Sequence, residues 1–460
     1  MKKLTRKQVL AGAAAGAVVG GGGIYELVDQ LSGSTPKRPV GTLKPEQHLL
    51  DGVRVVDSEG VPVLVPPLHH RLVTATVAVD AADLRTAQAE LEKALADIEA
   101  DYAPTPAGVG VTVAWGIPYF ERFVDAAAKK YLPFDRRAMK PVLLAAQRFP
   151  SDPTDTLLEE NEVVFLIRSD VKAHIDDAHQ RIENTKLFHF TSIRSGFAGG
   201  AFEGQGKKSL PKQLAVAAGV PGADLIPDTT ELFLGFTSTQ KAGMGPGKIA
   251  NFETLGYVDF GGRDYFVNGT HMHLSHIGED LEAWYLNFDF DERVATAFRP
   301  NLSVKDGTQT VPQGPKDVSD VAKVRDDYRT SGRIGHSAAI QTTSRLAGDV
   351  AGPDGTVYPK GSAIPVRADF NTLDNPFTWS ARAGEVQPTA QAGVHFVVFN
   401  PTGDDFRRNR LAMDGVLPGG KIAFPPRDRN QGFNSILTTT HRQNFLVPPR
   451  RHRSFPLAEI

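Results

Sequence analysis

The sequence predicts an α+β fold made of two ferredoxin-like units, each an antiparallel sheet with two helices on one face. Residues 71–196 read as strand, helix, strand, strand, helix, strand, and a similar order of segments recurs between residues 263 and 449. In a ferredoxin-like unit, this order places both helices on the same face of the sheet. The chain has 460 residues, of which 41% are hydrophobic, so it is long enough to build two such cores.

In the first half, each element is predicted from its periodicity. β-branched and small residues alternate in RLVTATVAVD at 71–80, which predicts a half-buried strand. A long helix is predicted at 83–102, because Leu84, Leu91 and Leu95 recur at helical spacing. The remaining predicted elements are strands at 108–116, 162–170 and 186–196 and a helix at 171–184.

The second half repeats this pattern around a long insert. The predicted elements are a strand or strand pair at 263–277, a helix at 280–299, a strand at 393–401, a helix at 404–415 and a final strand at 442–449, with the insert at 300–392. Helices cover only one face of each ferredoxin-like sheet. We therefore expect the two sheets to pack together or to bury a ligand.

The N-terminal segment has the composition of an export signal. Basic residues within the first seven positions precede an apolar, small-residue run at 9–25. TRKQVLAG at 5–12 resembles a twin-arginine export signal in which lysine takes the second arginine position. We therefore expect export to the periplasm, the cell surface or the medium. The run is short and Gly-rich for a membrane span and lacks a clean Ala-x-Ala site, so membrane attachment through residues 9–25 and a disordered tail both stay open.

These features divide the chain into four parts. We expect a signal or anchor segment at 1–31, a polar linker at 32–69, an N-terminal ferredoxin-like unit at 70–230 and a C-terminal unit at 231–460. The linker is assigned from its proline and its polar residues, which are typical of connecting segments.

The composition excludes several classes of function. The 51 basic and 53 acidic residues leave a formal net charge of −2, so the chain has no basic field that would attract nucleic acid. The sequence contains no cysteine, which excludes disulfides, cysteine zinc sites and a thiolate ligand for haem.

Several segments, taken in order, resemble dye-decolourising (DyP-type) peroxidases, over residues 70 to 450. The segments that carry the resemblance are GVGVTVAWGIPYFERF at 108–123, AAQRFPSDPTDTLLEENEVVFLIRSDVKAHIDDA at 145–178, ELFLGFTSTQ at 231–240, GVHFVVFNPTGDDFRRNRLAMDG at 393–415 and FNSILTTTHRQNFLVPP at 433–449. The resemblance implies a duplicated ferredoxin-like fold of the dimeric α/β-barrel superfamily, with haem b in the C-terminal half. It also implies peroxide and a small-molecule or dye-like reductant as substrates, and a homo-oligomer.

The resemblance also implies the residues of the haem site. The family's proximal histidine lies in an HxR segment, and RIGHSAAIQTTSR at 333–345 offers His336 as the iron ligand, with Ala338 in place of the arginine. GSAIPVRADF at 361–370 resembles the strand of the distal arginine, which makes Arg367 the match. An ordinary Arg367–Asp369 ion pair or a contact to a haem propionate are the alternatives for Arg367, and an ordinary loop histidine is the alternative for His336.

One position departs from the family at the centre of the chemistry. In the loop that matches the family's GFxDG, Ser238 stands where the family has the aspartate that moves the peroxide proton. A serine hydroxyl is a poor general base at neutral pH, so the resemblance implies a weakened peroxidase.

Three further contacts complete the expected haem site. Phe377 and Arg345 are expected to contact haem, although Phe377 and Trp379 could equally be core aromatics. Either Asp404 or Asp405 is expected to accept a hydrogen bond from the second ring nitrogen of the proximal histidine.

Other hypotheses stay open. The pocket of a weakened family member could bind haem without catalysis, as in a haem-handling surface protein. Alternatively, HMHLSH at 271–276 could bind zinc or copper, because His271 and His273 project from one face of a strand and His276 follows closely. The alternative is that HMHLSH is an ordinary histidine-rich strand whose side chains face polar neighbours. Chlorite-dismutase-like proteins share the duplicated fold and the proximal histidine, so the resemblance extends to them.

Overall fold

The structure is a computed structural model of the 460-residue chain. It describes residues 24–31, 43–198, 208–237, 264–311, 319–351, 357–358, 360–376, 390–425 and 427–460. The twin-arginine-like sequence at 5–12, Ser238, Phe377 and Trp379 lie outside these residues. None of the helices in the described ranges is long and apolar enough to cross a membrane.

Helices and strands alternate along the described chain. The helices are α1 (Glu26–Leu31), α2 (Leu84–Asp101), α3 (Ile117–Phe123), α4 (Asp125–Tyr131), α5 (Lys172–Asn184), α6 (Leu210–Ala217), α7 (Leu281–Asn287), α8 (Phe290–Ala297), α9 (Val321–Ser331), α10 (His336–Ser344) and α11 (Gly403–Met413). The strands are β1 (Arg54–Ser58), β2 (Val61–Val65), β3 (His69–Val77), β4 (Gly110–Trp115), β5 (Phe134–Asp135), β6 (Lys140–Pro141), β7 (Leu157–Leu158), β8 (Val163–Ser169), β9 (Phe188–Phe197), β10 (Thr270–Glu279), β11 (Val350–Ala351), β12 (Val357–Tyr358), β13 (Val366–Arg367), β14 (Phe370–Thr372), β15 (Gly393–Asn400), β16 (Val416–Leu417), β17 (Gly420–Lys421) and β18 (Leu437–Val447).

The first half is a ferredoxin-like unit, as predicted. Its strands pair in the order β9-β3-β8-β4, and all of these pairings are antiparallel. Helices α2 and α5 cover one face of this sheet. Their apolar sides, with Leu91, Leu95 and Ile182, pack in one buried cluster with the outward residues Val113 and Phe165 of the strands. The apolar residues at helical spacing in the helices and at alternating spacing in the strands therefore pack together in a single core layer.

The second half repeats the topology. Its strands pair in the order β18-β10-β15, and the short strands β13 and β14 both pair with β15 on its other edge. The predicted helix at 280–299 is instead two helices, α7 and α8. The break falls at Asp289, whose side chain accepts a hydrogen bond from the Glu292 backbone N–H while the Glu292 side chain accepts one from the Asp289 backbone. This capping box starts a new helix inside a segment whose apolar periodicity is continuous.

The two sheets join edge to edge instead of stacking face to face. β14 pairs with β9 through Asn371 and Phe197, and β18 pairs with β4 through Leu446 and Trp115. Since β10 pairs with both β15 and β18, eight strands close into a ring: β10, β15, β14, β9, β3, β8, β4 and β18. Inward side chains of both units fill its interior as one apolar cluster. Closure leaves neither ferredoxin-like sheet with an open edge in the ring.

Part of the predicted linker is ordered against the barrel. Residues 54–65 form the β1–β2 hairpin, in which Ser58 faces Val61 across a two-residue turn. Glu59 and Gly60 both have positive φ, of 54° and 79°, which is the geometry of a tight hairpin turn. Just before the hairpin, the Gln47 side-chain amide bonds the backbone N–H and C=O of Val113, so the chain crosses one end of the barrel.

The last residues of the predicted signal or anchor segment also pack into the core. Ile24, Tyr25 and Val28 are buried in the apolar cluster around α6 and α7. The Tyr25 hydroxyl donates to the Asp374 carboxylate at 2.9 Å, in the segment that follows β14. The segment that begins at Ile24 therefore contacts the C-terminal unit directly.

Candidate functional site

A large cavity lies between the outer face of the C-terminal sheet and helices α10 and α11. Its empty volume is about 1320 Å³, part of which is open to solvent. Alternate residues of β15 line one wall, because Val394, Phe396 and Val398 project from the same face of the strand. Ile340 of α10 and Met413 of α11 line the other. The cavity is therefore mostly apolar, with a small number of polar side chains whose positions define its chemistry.

His336 is the first residue of α10 and lines this cavity. Its ring lies 4.6 Å from that of Phe433, and its Nδ1 is buried without a hydrogen-bond partner among the described residues. Burial lowers the pKa of His336 to about 3, and the positive charges of Arg367 and Arg410 contribute. The imidazole is therefore neutral at physiological pH, which is the form that binds a metal ion.

A glycine fixes where this histidine sits. A Cβ at Gly335, the residue before His336, would lie 2.1 Å from the Phe298 carbonyl oxygen. The chain preceding α10 can approach the end of α8 this closely only because residue 335 has no side chain. The sequence RIGH thus contains both the histidine and the reason for its placement.

Arg367 lies on the strand wall of the cavity. It pairs with Val398 across β13 and β15, so its side chain shares the face that Val398 directs into the cavity. Its Nε lies 3.7 Å from Oδ1 of Asp369, and its side chain is 36% exposed. The structure thus shows the contact with Asp369 that was the alternative for Arg367, and the distal role stays a prediction.

A buried charge cluster, which was not predicted, lies at another part of the cavity. The Asp152 carboxylate, 1% exposed, accepts hydrogen bonds from Arg410 at 3.0 Å and Arg442 at 2.9 Å. Arg410 also bonds Asp414 at 2.8 Å. Burial lowers the pKa of Arg442 to about 10, so its guanidinium stays charged. A sequence signal existed, because Asp152 ends the FPSD motif that the family resemblance includes.

Glu279, at the end of β10, is a second unpredicted cavity residue. Its Oε2 is buried and has no hydrogen-bond partner within the described chain. Burial raises the pKa of Glu279 to about 8, with a further contribution from the charge of Asp369. The cavity therefore contains a carboxyl group that holds its proton at neutral pH.

The predicted partner of His336 is wrong. Asp404 accepts a hydrogen bond from Lys140 at 2.8 Å, and Asp405 is bonded by Arg137 at 3.2 Å and by Arg408. These two carboxylates, in the first turn of α11, are therefore paired with basic side chains, with which carboxylates form their strongest contacts. They do not accept a hydrogen bond from His336.

Arg345, a predicted haem contact, follows α10 directly. Its Nη1 donates to the Gly361 carbonyl oxygen at 3.4 Å. Burial, followed by the charge of Arg367, lowers the pKa of Arg345 to about 10. Arg345 thus lies within electrostatic reach of Arg367.

The histidine strand does not assemble a metal site. His271 and His273 project from the same face of β10, as predicted, but His276 is on the opposite face, toward the barrel interior. His273 bonds Asn444 at 2.7 Å and stacks on Phe406, and His276 bonds Thr440 at 2.8 Å. The described residues contain no group of three or more ligating side chains placed to hold a metal ion. The zinc or copper hypothesis is therefore wrong for these histidines.

Comparisons with known proteins match the chain to one family and find solved structures that are similar to it. The sequence matches a family described as "Family of unknown function (DUF7405)" over residues 67–449. No curated protein matches it. Among solved structures, the chain is similar to a DypB variant from Rhodococcus jostii RHA1 in complex with heme, at 13% identity and a TM-score of 0.48, covering 85% of this chain and 95% of that one. It is also similar to the encapsulated DyP-type peroxidase from Mycobacterium smegmatis, at 13% identity and a TM-score of 0.47, covering 85% and 95%. A DyP-type peroxidase protein from Shewanella oneidensis gives 12% identity and a TM-score of 0.47, covering 84% and 94%.

Proposed function

The chain belongs to the DUF7405 family, and we propose that it is a haem b protein that oxidises a small-molecule or dye-like reductant with peroxide, at a weakened rate. The observation that carries the proposal is the placement of two residues on one large cavity. A neutral, buried His336 lies on its helix wall, and Arg367 lies on its strand wall. This is the pair of roles that the resemblance to DyP-type peroxidases implies for these two positions.

The chemistry of the cavity fits haem b. One nitrogen of the neutral His336 ring would ligate the iron. The apolar side chains of Ile340 and Met413 face the strand wall and suit a flat porphyrin. Arg410 and Arg442 would pair with the propionates, because arginine forms strong bidentate contacts with carboxylates.

Haem iron, when bound, would supply the redox chemistry, giving two electron equivalents to peroxide and regaining them from the reductant. Arg367 would donate hydrogen bonds to a peroxide oxygen and stabilise the negative charge on it, as guanidinium groups do for developing oxyanions. Asp369, in contact with Arg367, is a carboxylate on the same wall that could accept the peroxide proton. The carboxyl group of Glu279 keeps its proton at neutral pH and so would donate a hydrogen bond to a group in the cavity.

Two features favour slow turnover. Ser238 stands where DyP-type peroxidases have an aspartate in the resembling loop, and a hydroxyl accepts a proton poorly. In addition, no described residue accepts a hydrogen bond from Nδ1 of His336, so the ring lacks the carboxylate that makes a metal-bound imidazole more basic. The same two features support the second candidate function, a non-catalytic haem-binding or haem-handling protein on the cell surface.

Absorption spectroscopy tests the proposal. Protein produced with added haem precursor should show a Soret band, and His336→Ala should lose it. His271→Ala removes a buried histidine that is not among the residues lining this cavity, and it should keep the band. A full haem spectrum in His336→Ala would refute the ligand assignment. A band that shifts on addition of hydrogen peroxide supports the peroxidase, and an unresponsive band supports the haem-handling protein.

We also propose that the chain is exported through its twin-arginine-like N-terminus and that it forms a homo-oligomer. The sequence at 5–12 supports export. Membrane attachment through the apolar run at 9–25 would use only its residues before Ile24, because Ile24 and Tyr25 pack into the core. Fractionation of cells that produce the full chain, compared with a Lys3→Gln, Arg6→Gln, Lys7→Gln variant, tests export. Loss of the exported fraction in the variant is the expected result, and an unchanged distribution would contradict it. Light scattering of the purified protein gives the oligomeric state.

A further inference from the structure

A second cavity lies at the end of the barrel that residues 46–50 cross. We call it the barrel-end cavity, and its empty volume is about 1010 Å³. Most of its lining is apolar. Leu50 and Val63 border it from the crossing segment and the β1–β2 hairpin, and Val366, Ala368 and Phe370 border it from the C-terminal unit. Gly110 makes room for this arrangement, because a Cβ there would lie 2.1 Å from Cδ2 of Leu50.

A buried cation lies in this apolar lining. Arg168 of β8 is 7% exposed and points to the same side as Leu166, which belongs to the barrel interior. One terminal nitrogen donates to the His48 carbonyl oxygen at 2.6 Å, but its Nε is buried without a hydrogen-bond partner in the described chain. Burial lowers the pKa of Arg168 to about 10, so the group is still charged at pH 7. The ion pairs found among the described residues include none to Arg168.

A second polar atom without a partner lies beside it. His70 is directly opposite Arg168 in the β3–β8 register and is 2% exposed. Its ring stacks on Phe370 at 4.7 Å, and Nδ1 is buried with no hydrogen-bond partner in the described residues. Burial, followed by the charge of Arg168, holds the pKa of His70 well below its usual range. The neutral ring can therefore donate one N–H to an anion.

The cavity lining also contains two carboxyl groups, Glu231 and Asp369, and Oδ1 of Asp369 lies 3.7 Å from Nε of Arg367. Glu231 accepts a hydrogen bond from the Thr237 hydroxyl, and burial raises the pKa of Glu231 to about 7. It does not contribute to the pKa of Arg168, for which burial is the cause. Arg168 therefore carries its charge in an apolar setting, and no carboxylate of the described residues forms an ion pair with it. An anionic ligand would offset the free-energy cost of burying this charge.

We propose that the barrel-end cavity binds a hydrophobic organic carboxylate. The carboxylate contacts Arg168 and His70, and the apolar body lies along Leu50, Val63 and Val366. The apolar lining selects an organic acid over an inorganic anion, because an anion such as sulfate would lose its hydration without gaining apolar contact. This binding does not depend on haem.

The position of the barrel-end cavity gives such a ligand a functional setting. Arg367 and Asp369 line both this cavity and the proposed haem cavity. A bound acid would therefore lie behind the wall that carries the proposed distal arginine. Leu232, Asn371 and Val394 also line both cavities, so they belong to the same dividing wall.

Calorimetric titration of the full-length protein with 2-naphthoate tests the proposal without identifying the natural ligand. We expect 2-naphthoate to bind with a micromolar Kd, and its uncharged isostere naphthalene-2-carboxamide to bind at least about tenfold more weakly, because a charge-assisted contact is lost. Sodium sulfate should not compete. This comparison uses the native protein, so it holds even if a variant folds poorly.

Two variants locate the site. Arg168→Met should weaken 2-naphthoate binding at least about tenfold and leave the carboxamide unchanged, and Arg168→Lys should restore part of the affinity. Arg442→Met is the matched control, because it removes a buried arginine from the other cavity. Equal binding of acid and amide, competition by sulfate, or a loss caused by Arg442→Met and not by Arg168→Met would each overturn the proposal. The titration can be done with haem-free protein. Failure of the proposed carboxylate binding is therefore distinguishable from failure of the proposed haem function.

Discussion

Removal of the Asp152 charge should destabilise the fold more than its small size suggests. The carboxylate joins Arg410 and Arg442, at 3.0 and 2.9 Å, and all three side chains are at least nine-tenths buried. In Asp152→Asn, Arg410 keeps Asp414 at 2.8 Å, but Arg442 keeps only the Thr439 hydroxyl at 3.2 Å. Loss of one partner of a buried ion pair costs ~3–5 kcal/mol, because the remaining charge stays buried. Since one arginine retains a carboxylate, we expect a loss of ~3 kcal/mol in the free energy of unfolding.

Urea denaturation followed by circular dichroism measures this loss. Asp155→Asn, on an exposed side chain of the same loop, is the matched control and should lie within ~0.5 kcal/mol of the wild type. The double variant Asp152→Asn, Arg442→Met no longer buries an uncompensated cation. It should therefore be more stable than the sum of the two single losses by ~1–3 kcal/mol. Strict additivity, or a loss below ~1 kcal/mol for Asp152→Asn, would refute the view that the cost comes from the orphaned charge of Arg442.

Three further outcomes follow from the geometry of the haem cavity. Arg367→Leu should reduce peroxide-dependent dye oxidation by ~100-fold or more with the Soret band retained. Ser238→Asp should raise turnover, and unchanged or lower turnover in this variant would contradict the assignment of the loop. Because the pKa of Glu279 is raised from 4.5 to about 8 on folding, the folded state loses stability as the pH rises through this window. Glu279→Gln should thus unfold at higher urea than wild type at pH 8.5, by ~1 kcal/mol or more, and match it at pH 5; a difference that does not vary with pH would argue against this cause. Gly335→Ala should cost ~1–3 kcal/mol in urea denaturation, because its Cβ would meet the Phe298 carbonyl at 2.1 Å, and a neutral result would show that the chain before α10 can shift.

The fold could be predicted from the sequence where periodicity and topology agree. Strand and helix spacings in the first half place the six elements of the ferredoxin-like unit within a few residues of the structure. The closure of the barrel could not be predicted, because it depends on single seam pairings such as that of Asn371 with Phe197. Such pairings leave no periodic signal. The break at Asp289 was missed for a related reason, since the apolar spacing continues across it.

The haem roles of the candidate site residues stay predictions, but the structure shows where their side chains lie. His336 and Arg367 were found through the resemblance, and the structure lines one cavity with both. The assignment of Asp404 and Asp405 failed, because three nearby basic side chains compete for those carboxylates. A buried charge cluster joins residues far apart in the chain, so its partners cannot be read from local spacing.

The two units differ in how closely their described helices pack on the sheet. On the N-terminal sheet, outward residues such as Val113 and Phe165 are apolar, and α2 and α5 pack directly on them. The equivalent face of the C-terminal sheet carries Asn400 on the cavity wall, and both polar atoms of its side chain are buried without a hydrogen-bond partner among the described residues. A close-packed apolar helix layer would leave such groups unsatisfied, at a cost of ~1–3 kcal/mol each. The same topology therefore gives a sealed core in the first unit, and in the second a cavity whose polar wall suits a bound group.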